Sequence, residues 1–327
     1  MATYKGIQGY SVQNLSSDPT VADVVGQLWY NSGSGKFKVA VQAAGTWSAG
    51  GAIGTTRYSQ AGAGLATAGL IFGGRTTTQV ALTESYDGST WTEVGDLTLA
   101  RNFNAGMGTN TAALCVGGAV DASIKVETEE WNGTAWTEVG DLATARRKLG
   151  SCGTTTAGLV SGGGAPAVSA LTETYNGTAW TEVGDLNTAR QGLGGANKGT
   201  TTAALMFGGG PTGANAYTES YNGTAWTEVA DLGTAVQNMG GAGVQTNALA
   251  FGGATPPGAE TVNTQSFNGT SWTELNNMGT ARYLMGAAGS ANDAFGAGGY
   301  TAPGTTKYDL TEEWDGAPVS AKTVTVS

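Results

Sequence analysis

The chain has 327 residues, a net charge of −10, and only 12% charged residues against 55 glycines. That acidic balance argues against nucleic-acid binding, which needs a basic face to displace counterions from phosphates. With 40% apolar residues the chain is not disordered, and no 18-residue apolar run is present to cross a membrane.

The N-terminal MATYKGIQGYSVQ lacks the apolar core of a secretory leader. An arm of about 25 residues holds too little apolar surface to fold alone, so it is expected to order against a partner. Next, GQLWYNSGSGKFKVAV forms two strand-like runs, 27–31 and 36–41, around the turn Ser32-Gly33-Ser34-Gly35. This hairpin resembles those near the N-termini of bacteriophage tail-fibre and other virion proteins, where G-x-L-W-Y-N recurs. The resemblance implies docking on other virion proteins through residues 1–44, with Leu28, Trp29, Tyr30 and Phe37 as the docking residues.

From Trp47 onward the chain is periodic. Trp91, Trp136, Trp180, Trp226 and Trp272 lie 44 to 46 residues apart, each five residues after an aromatic: Tyr86, Trp131, Tyr175, Tyr221 or Phe267. Ten residues after each Trp comes Arg101, Arg146, Arg190 or Arg282, with Val236 standing in once. A glycine pair follows: Gly73-Gly74, Gly117-Gly118, Gly162-Gly163, Gly208-Gly209, Gly252-Gly253 and Gly298-Gly299. Six pairs mark a six-fold tandem array.

Each unit predicts four strands. A segment rich in Gly and Ala, such as ARNFNAGMG, suits a crowded innermost strand. TAALCVGG and TTAALMFGG are short apolar runs bounded by glycine, suited to strands buried on both faces. LTESYDG and STWTEVG place Thr and aromatics at period two around Asp-Gly or Asn-Gly, a strong hairpin signal. Four strands in about 45 residues describe a β-propeller blade. Trp47 precedes Arg57 by the same ten residues, and Val319 stands where the last unit should have its Trp. The strand around Trp47 is therefore expected to complete the sixth blade, leaving AKTVTVS as an extra strand or tail. The competing reading makes AKTVTVS itself the sixth outer strand.

The glycine pair, the Tyr, the Trp and the L-x-x-A-R entry to the next unit resemble the kelch repeat over about residues 45–316. Tyr and Trp stand closer together here than in many kelch units. SYDGSTW is similar to the Asp-box of sialidase-type propellers, but it is one residue short. The expected fold is thus all-β: a six-bladed kelch-like β-propeller over 45–316, four antiparallel strands per blade, with an arm and hairpin over 1–44 and a strand or tail over 317–327.

No catalytic set stands out. Histidine is absent, which removes the usual general base and the commonest transition-metal ligand. The copper oxidases sharing a kelch-like propeller need His ligands, so the resemblance does not carry their activity. No Cys-x-x-Cys pair exists, and no Gly-rich loop ends in Lys-Ser/Thr. Cys115 and Cys152 read as small buried thiols. The acids Glu84, Glu93, Asp96 and their copies recur in successive units, so they read as structural, paired with the repeated Arg or facing solvent. The repeated Trp and Tyr read as core between blades, and the Asn-Gly-Thr sequons at Asn132, Asn176, Asn222 and Asn268 as turn chemistry. Neither a metal nor a cofactor is expected.

Recognition is expected where the units differ, in the loops after the glycine pairs. These carry Arg75, Lys125, Tyr217, Pro256, Pro257, Tyr300 and Lys307. The reading is a non-enzymatic phage virion protein on tail or capsid, docked by residues 1–44 and presenting the loops to a host-surface glycan, a receptor or a neighbouring protein. Self-association on the particle is left open. The alternatives are a carbohydrate-active propeller enzyme and a kelch-type adaptor.

Overall fold

A computed structural model describes residues 12–18, 28–42, 45–165, 167–211, 213–301, 306–316 and 319–324. Among these residues the chain is all-β, with no helix. It divides into two compact units, residues 1–45 with 316–327, and residues 46–315.

In the first unit, Leu28–Asn31 and Lys36–Gln42 form the antiparallel hairpin expected from the sequence. Gln13–Leu15 pairs parallel to Leu28–Asn31, so part of the arm finds its partner within the chain. Residues 1–11 and 19–27 lie outside the described residues. Val319–Thr323 pairs antiparallel with Lys36–Gln42, which makes the C-terminal segment the fourth strand of this sheet.

Among the described residues, the second unit holds six four-stranded antiparallel sheets, an arrangement consistent with a β-propeller. In the first of them Ala61–Leu65, Ala68–Phe72, Thr83–Tyr86 and Trp91–Glu93 pair in chain order. The sixth takes Gly286–Gly289, Asp293–Ala297 and Thr311–Asp315 from one end of the unit and Thr46–Gly50 from the other. Its last pairing sets Trp47 opposite Trp314, the register that Trp91 has with Tyr86.

The innermost strand of each sheet lies beside that of the next, and Gly286–Gly289 lies beside Ala61–Leu65. The crowding explains their composition. A Cβ on Gly106 would come within 2.6 Å of the Gly62 carbonyl oxygen, and one on Gly241 within 2.4 Å of that of Gly195.

Three sets of repeated contacts join successive sheets. The first is a circle of indole hydrogen bonds. Trp136, Trp180, Trp226 and Trp272 each donate Nε1–H to a buried Thr hydroxyl of the preceding sheet, Thr83, Thr128, Thr172 and Thr218, at 3.0–3.1 Å. Trp47 donates to Thr264 at 2.9 Å and Trp91 to Thr311 at 2.8 Å, and these two bonds complete the circle. Secondly, phenylalanines of one sheet pack on the Trp of the next, Phe72 on Trp136 (centroids 4.7 Å apart), Phe251 on Trp47 (4.8 Å) and Phe295 on Trp91 (5.7 Å). The repeated Trp is thus core between sheets.

The third set is a buried ion pair. Arg57, Arg101, Arg146, Arg190 and Arg282 are fully buried and meet Glu84, Glu129, Glu173, Glu219 and Glu312. In the Arg146 pair the separation is 2.7 Å, and its Nη1 also donates to the Gly162 and Leu171 carbonyls. The other Glu173 oxygen accepts from the backbone N–H of Ala143 at 2.8 Å. Burial pulls the Arg146 guanidinium below its ordinary pKa, and Glu173 pulls it back. In the fifth sheet both charges are gone: Val236 replaces the Arg and Gln265 the Glu. Gln265 keeps the second contact, accepting from Gly233 N–H at 2.7 Å. A lone buried charge is costly, which explains why the two partners are lost together.

Candidate binding face

Cys115 and Cys152 are free and fully buried, and burial pushes their thiols up to about 11 and about 12. A thiolate is the reactive form, so the folded chain at pH 8 should give no prompt reaction with a disulfide reagent, while unfolding should expose both thiols. Prompt labelling of either one in the folded chain would contradict their burial. Glu84, Glu129 and Glu173 are spent on buried arginines, whereas Glu93, Glu138 and Glu182 are exposed. Asp96, Asp141 and Asp185 accept the backbone N–H of Thr83, Thr128 and Thr172 at 3.0–3.1 Å. Asn132 and Asn176 each accept two N–H groups of their own turns.

The loops after the glycine pairs are more ordered than loops of that composition suggest. Four of them are short two-stranded ribbons, such as Ala119–Val120 with Ser123–Ile124 and Tyr300–Thr301 with Thr306–Lys307. Each loop is also bridged by the residue that follows the Arg or Val236. The bridges are Tyr58 to Arg75, Asn102 to Ala119, Arg147 to Gly164, Gln191 to Gly210, Gln237 to Ala254 and Tyr283 to Tyr300.

The expected binding residues are spread over these loops. Tyr217 is 41% exposed, Pro256 and Pro257 are exposed, and Lys125 sits 3.5 Å from Glu127. Arg75 is half-buried, with its Nε donating to the Thr77 carbonyl. Tyr300 and Lys307 are opposite one another in one ribbon. The structure draws Tyr300 together with Tyr58 (5.0 Å between centroids) and Tyr283 (5.6 Å). In the first unit Trp29 is buried and donates to Asp18, leaving Phe37, 46% exposed, as the open ring beside half-buried Tyr30.

The next residue in each repeat forms a ring. Ser59, Phe103, Lys148, Gly192, Asn238 and Leu284 all have φ between 55° and 68°. Each donates its backbone N–H to the carbonyl of its predecessor in the preceding sheet, at 2.7–3.0 Å, and Ser59 donates to Leu284. The six bonds close on themselves. Left-handed backbone at Phe, Lys or Leu is strained, of order 1–3 kcal/mol each, and persists only where the surroundings over-determine it. Here the ring of hydrogen bonds does so.

These six residues line a vestibule of about 100 Å³. Its floor residues, Gln60, Asn104, Leu149, Leu193, Met239 and Met285, also line a deeper cavity of about 110 Å³ between the innermost strands. The Lys148 ammonium lies 4.8 Å from the centre of the Phe103 ring and the Arg147 guanidinium 5.9 Å from it. Burial, and then Arg147, hold the Lys148 ammonium below its ordinary pKa. At the other end of the innermost strands, Lys198 donates Nζ–H to the Gly108 carbonyl at 2.8 Å.

Phe103, Arg147 and Lys148 are not among the binding residues that the sequence suggests. A signal for them was present: directly after the Arg or Val236 the repeat reads Tyr-Ser, Asn-Phe, Arg-Lys, Gln-Gly, Gln-Asn and Tyr-Leu, the point where an otherwise regular segment stops repeating. No family model matches the chain, and no curated protein matches it.

Proposed function

We propose that this chain is a non-enzymatic structural protein of a bacteriophage particle. In this reading its six sheets are the blades of a kelch-like propeller closed by the strand at Trp47, which presents one face for recognition. One observation carries the recognition part. Side chains that build the sheets repeat, while those at the ring of left-handed residues differ in every unit and the bridged loops vary in length and sequence. A rigid scaffold with variation gathered on one face is how binding surfaces are commonly built. The virion part rests on the resemblance of the Leu28–Asn31 hairpin to those of phage fibre proteins, with exposed Phe37 as a docking residue. Its partners would be other virion proteins on the hairpin side and a host-surface glycan or receptor at the loops. Gold-labelled antibodies against the chain should decorate tails or capsids of purified particles, and a chain lacking residues 1–40 should leave the particles unlabelled. Recovery of the chain only from the host's soluble fraction would overturn this reading.

A further inference from the structure

We infer that the four Asn-Gly turns, at Asn132, Asn176, Asn222 and Asn268, are sites of covalent self-modification, at which the folded chain loses ammonia and turns each asparagine into an aspartate.

The reacting groups sit together in each turn. All four asparagines are exposed, and each precedes a glycine with φ of 92° to 94°. The glycine nitrogen is the nucleophile once a base in solution takes its proton. Its N–H makes no hydrogen bond among the described residues, and no side chain shields it. The electrophile is the asparagine Cγ. Both are joined through the same Cα, so attack closes a five-membered ring without any loss of translational freedom. Attack turns Oδ1 into an oxyanion, and two donors already hold that oxygen. At Asn132 they are the N–H groups of Thr134 and Ala135, at 2.9 and 3.0 Å. The same pair of donors, at 2.9 Å, serves Asn176, Asn222 and Asn268. Donors fixed in advance where negative charge develops lower the barrier. Nδ2 then takes a proton from solvent and leaves as ammonia, and water opens the succinimide. No other asparagine of the chain is followed by glycine.

The first unit carries the product already. There Asp87-Gly88 occupies the turn, and Asp87 accepts the N–H groups of Ser89 and Thr90, both at 2.8 Å, and the Thr90 hydroxyl at 3.1 Å. Those bonds, the Thr90 N–H foremost, hold the Asp87 carboxyl below its ordinary pKa. An aspartate formed at Asn132 would meet the equivalent pair of N–H groups, so the turn accepts it. Ring opening has two outcomes. Breaking the bond between the glycine nitrogen and Cγ gives aspartate with the main chain unchanged. Breaking the bond between that nitrogen and the main-chain carbonyl carbon gives isoaspartate, which adds one carbon to the main chain inside the turn. Trp131 lies opposite Trp136 and pins both ends of the second unit's turn, as Tyr175 with Trp180, Tyr221 with Trp226 and Phe267 with Trp272 pin the others. The sheets therefore favour aspartate. Each conversion adds one negative charge, so four would take the net charge from −10 to −14.

The test incubates the full-length chain at pH 6 and pH 8, both folded and unfolded in guanidinium, and follows it by intact mass and peptide mapping. The folded chain should gain about 1 Da for each converted site. Conversion should be faster at pH 8, because the deprotonated glycine nitrogen is the nucleophile. It should reach all four turns, run at least as fast as in the unfolded chain, and give mainly aspartate where the unfolded chain gives mainly isoaspartate. Asn132→Gln should end conversion at that turn and leave the other three unchanged, since the longer side chain must close a six-membered ring. Asn132→Asp should melt with the parent chain, as the turn at Asp87 implies. Four intact asparagines in the folded chain after the unfolded chain has converted would overturn the proposal. So would a majority of isoaspartate in the folded chain, or a lowered melting temperature of Asn132→Asp.

Discussion

Replacing Arg146 by Val should cost about 3–5 kcal/mol of stability, the usual penalty for breaking a buried ion pair and stranding the partner charge. Glu173 would be the stranded group, since it is 1% exposed and the 2.7 Å contact with Arg146 neutralises it. Its second oxygen would still accept from Ala143 N–H, which cannot compensate a full charge. Glu173→Gln alone should also destabilise, because it leaves the Arg146 guanidinium buried against a neutral amide. The double variant Arg146→Val/Glu173→Gln should cost less than either single one, since the fifth sheet already uses Val236 with Gln265. Gln265 shows how the amide keeps the backbone contact, at 2.7 Å from Gly233 N. Urea unfolding of the four proteins in the cycle measures this. Simple addition of the two single penalties would show that the pairs are not coupled as the buried geometry requires.

Trp47→Ala should cost about as much, about 3–5 kcal/mol, through the cavity left by a large aromatic. It also removes the indole donor to Thr264 and the packing on Phe251 and Trp314. The location of the damage distinguishes this site. Thr46–Gly50 is held to Thr311–Asp315 by pairing between residues far apart in sequence, with no hairpin turn joining them. Closing so long a loop carries an entropy cost that the local hairpins of the other sheets avoid. Hydrogen exchange should therefore speed up across Thr311–Asp315 in the variant, while Ala113–Val116 of the second sheet stays protected. Trp136→Ala provides the comparison: it loses the equivalent bond to Thr83, but its outer strand remains tethered through the Asn-Gly turn. If exchange rose uniformly over all sheets in Trp47→Ala, the closure would not be a separable unit.

Much of this is legible in the amino-acid sequence. Trp spacing and the Asn-Gly turns located third and outer strands, and the Gly- and Ala-rich segments located the innermost ones, because period-two patterning and turn chemistry are local properties. The count of ten residues from Trp47 to Arg57 pointed to the strand that completes the sixth sheet. The C-terminal segment was ambiguous for a physical reason: AKTVTVS has strand character, and a strand's own sequence does not say which edge it joins. The structure pairs Val319–Thr323 with Lys36–Gln42. The arm is expected from its sequence to order against a partner, and Gln13–Leu15 finds one within the chain in Leu28–Asn31, a parallel pairing with no turn signal to announce it.

By itself, then, the sequence determined a six-fold β repeat, its register, the replacement of the repeated Arg by Val236, and the lack of a histidine-based site. Tertiary structure alone decided which variable residues meet. Phe103 and Lys148 come from successive units, and with Ser59, Gly192, Asn238 and Leu284 they line one small vestibule. Periodicity places residues within a unit. Which positions of different units face one another depends on how closely the innermost strands pack and on the ring of left-handed residues that links them.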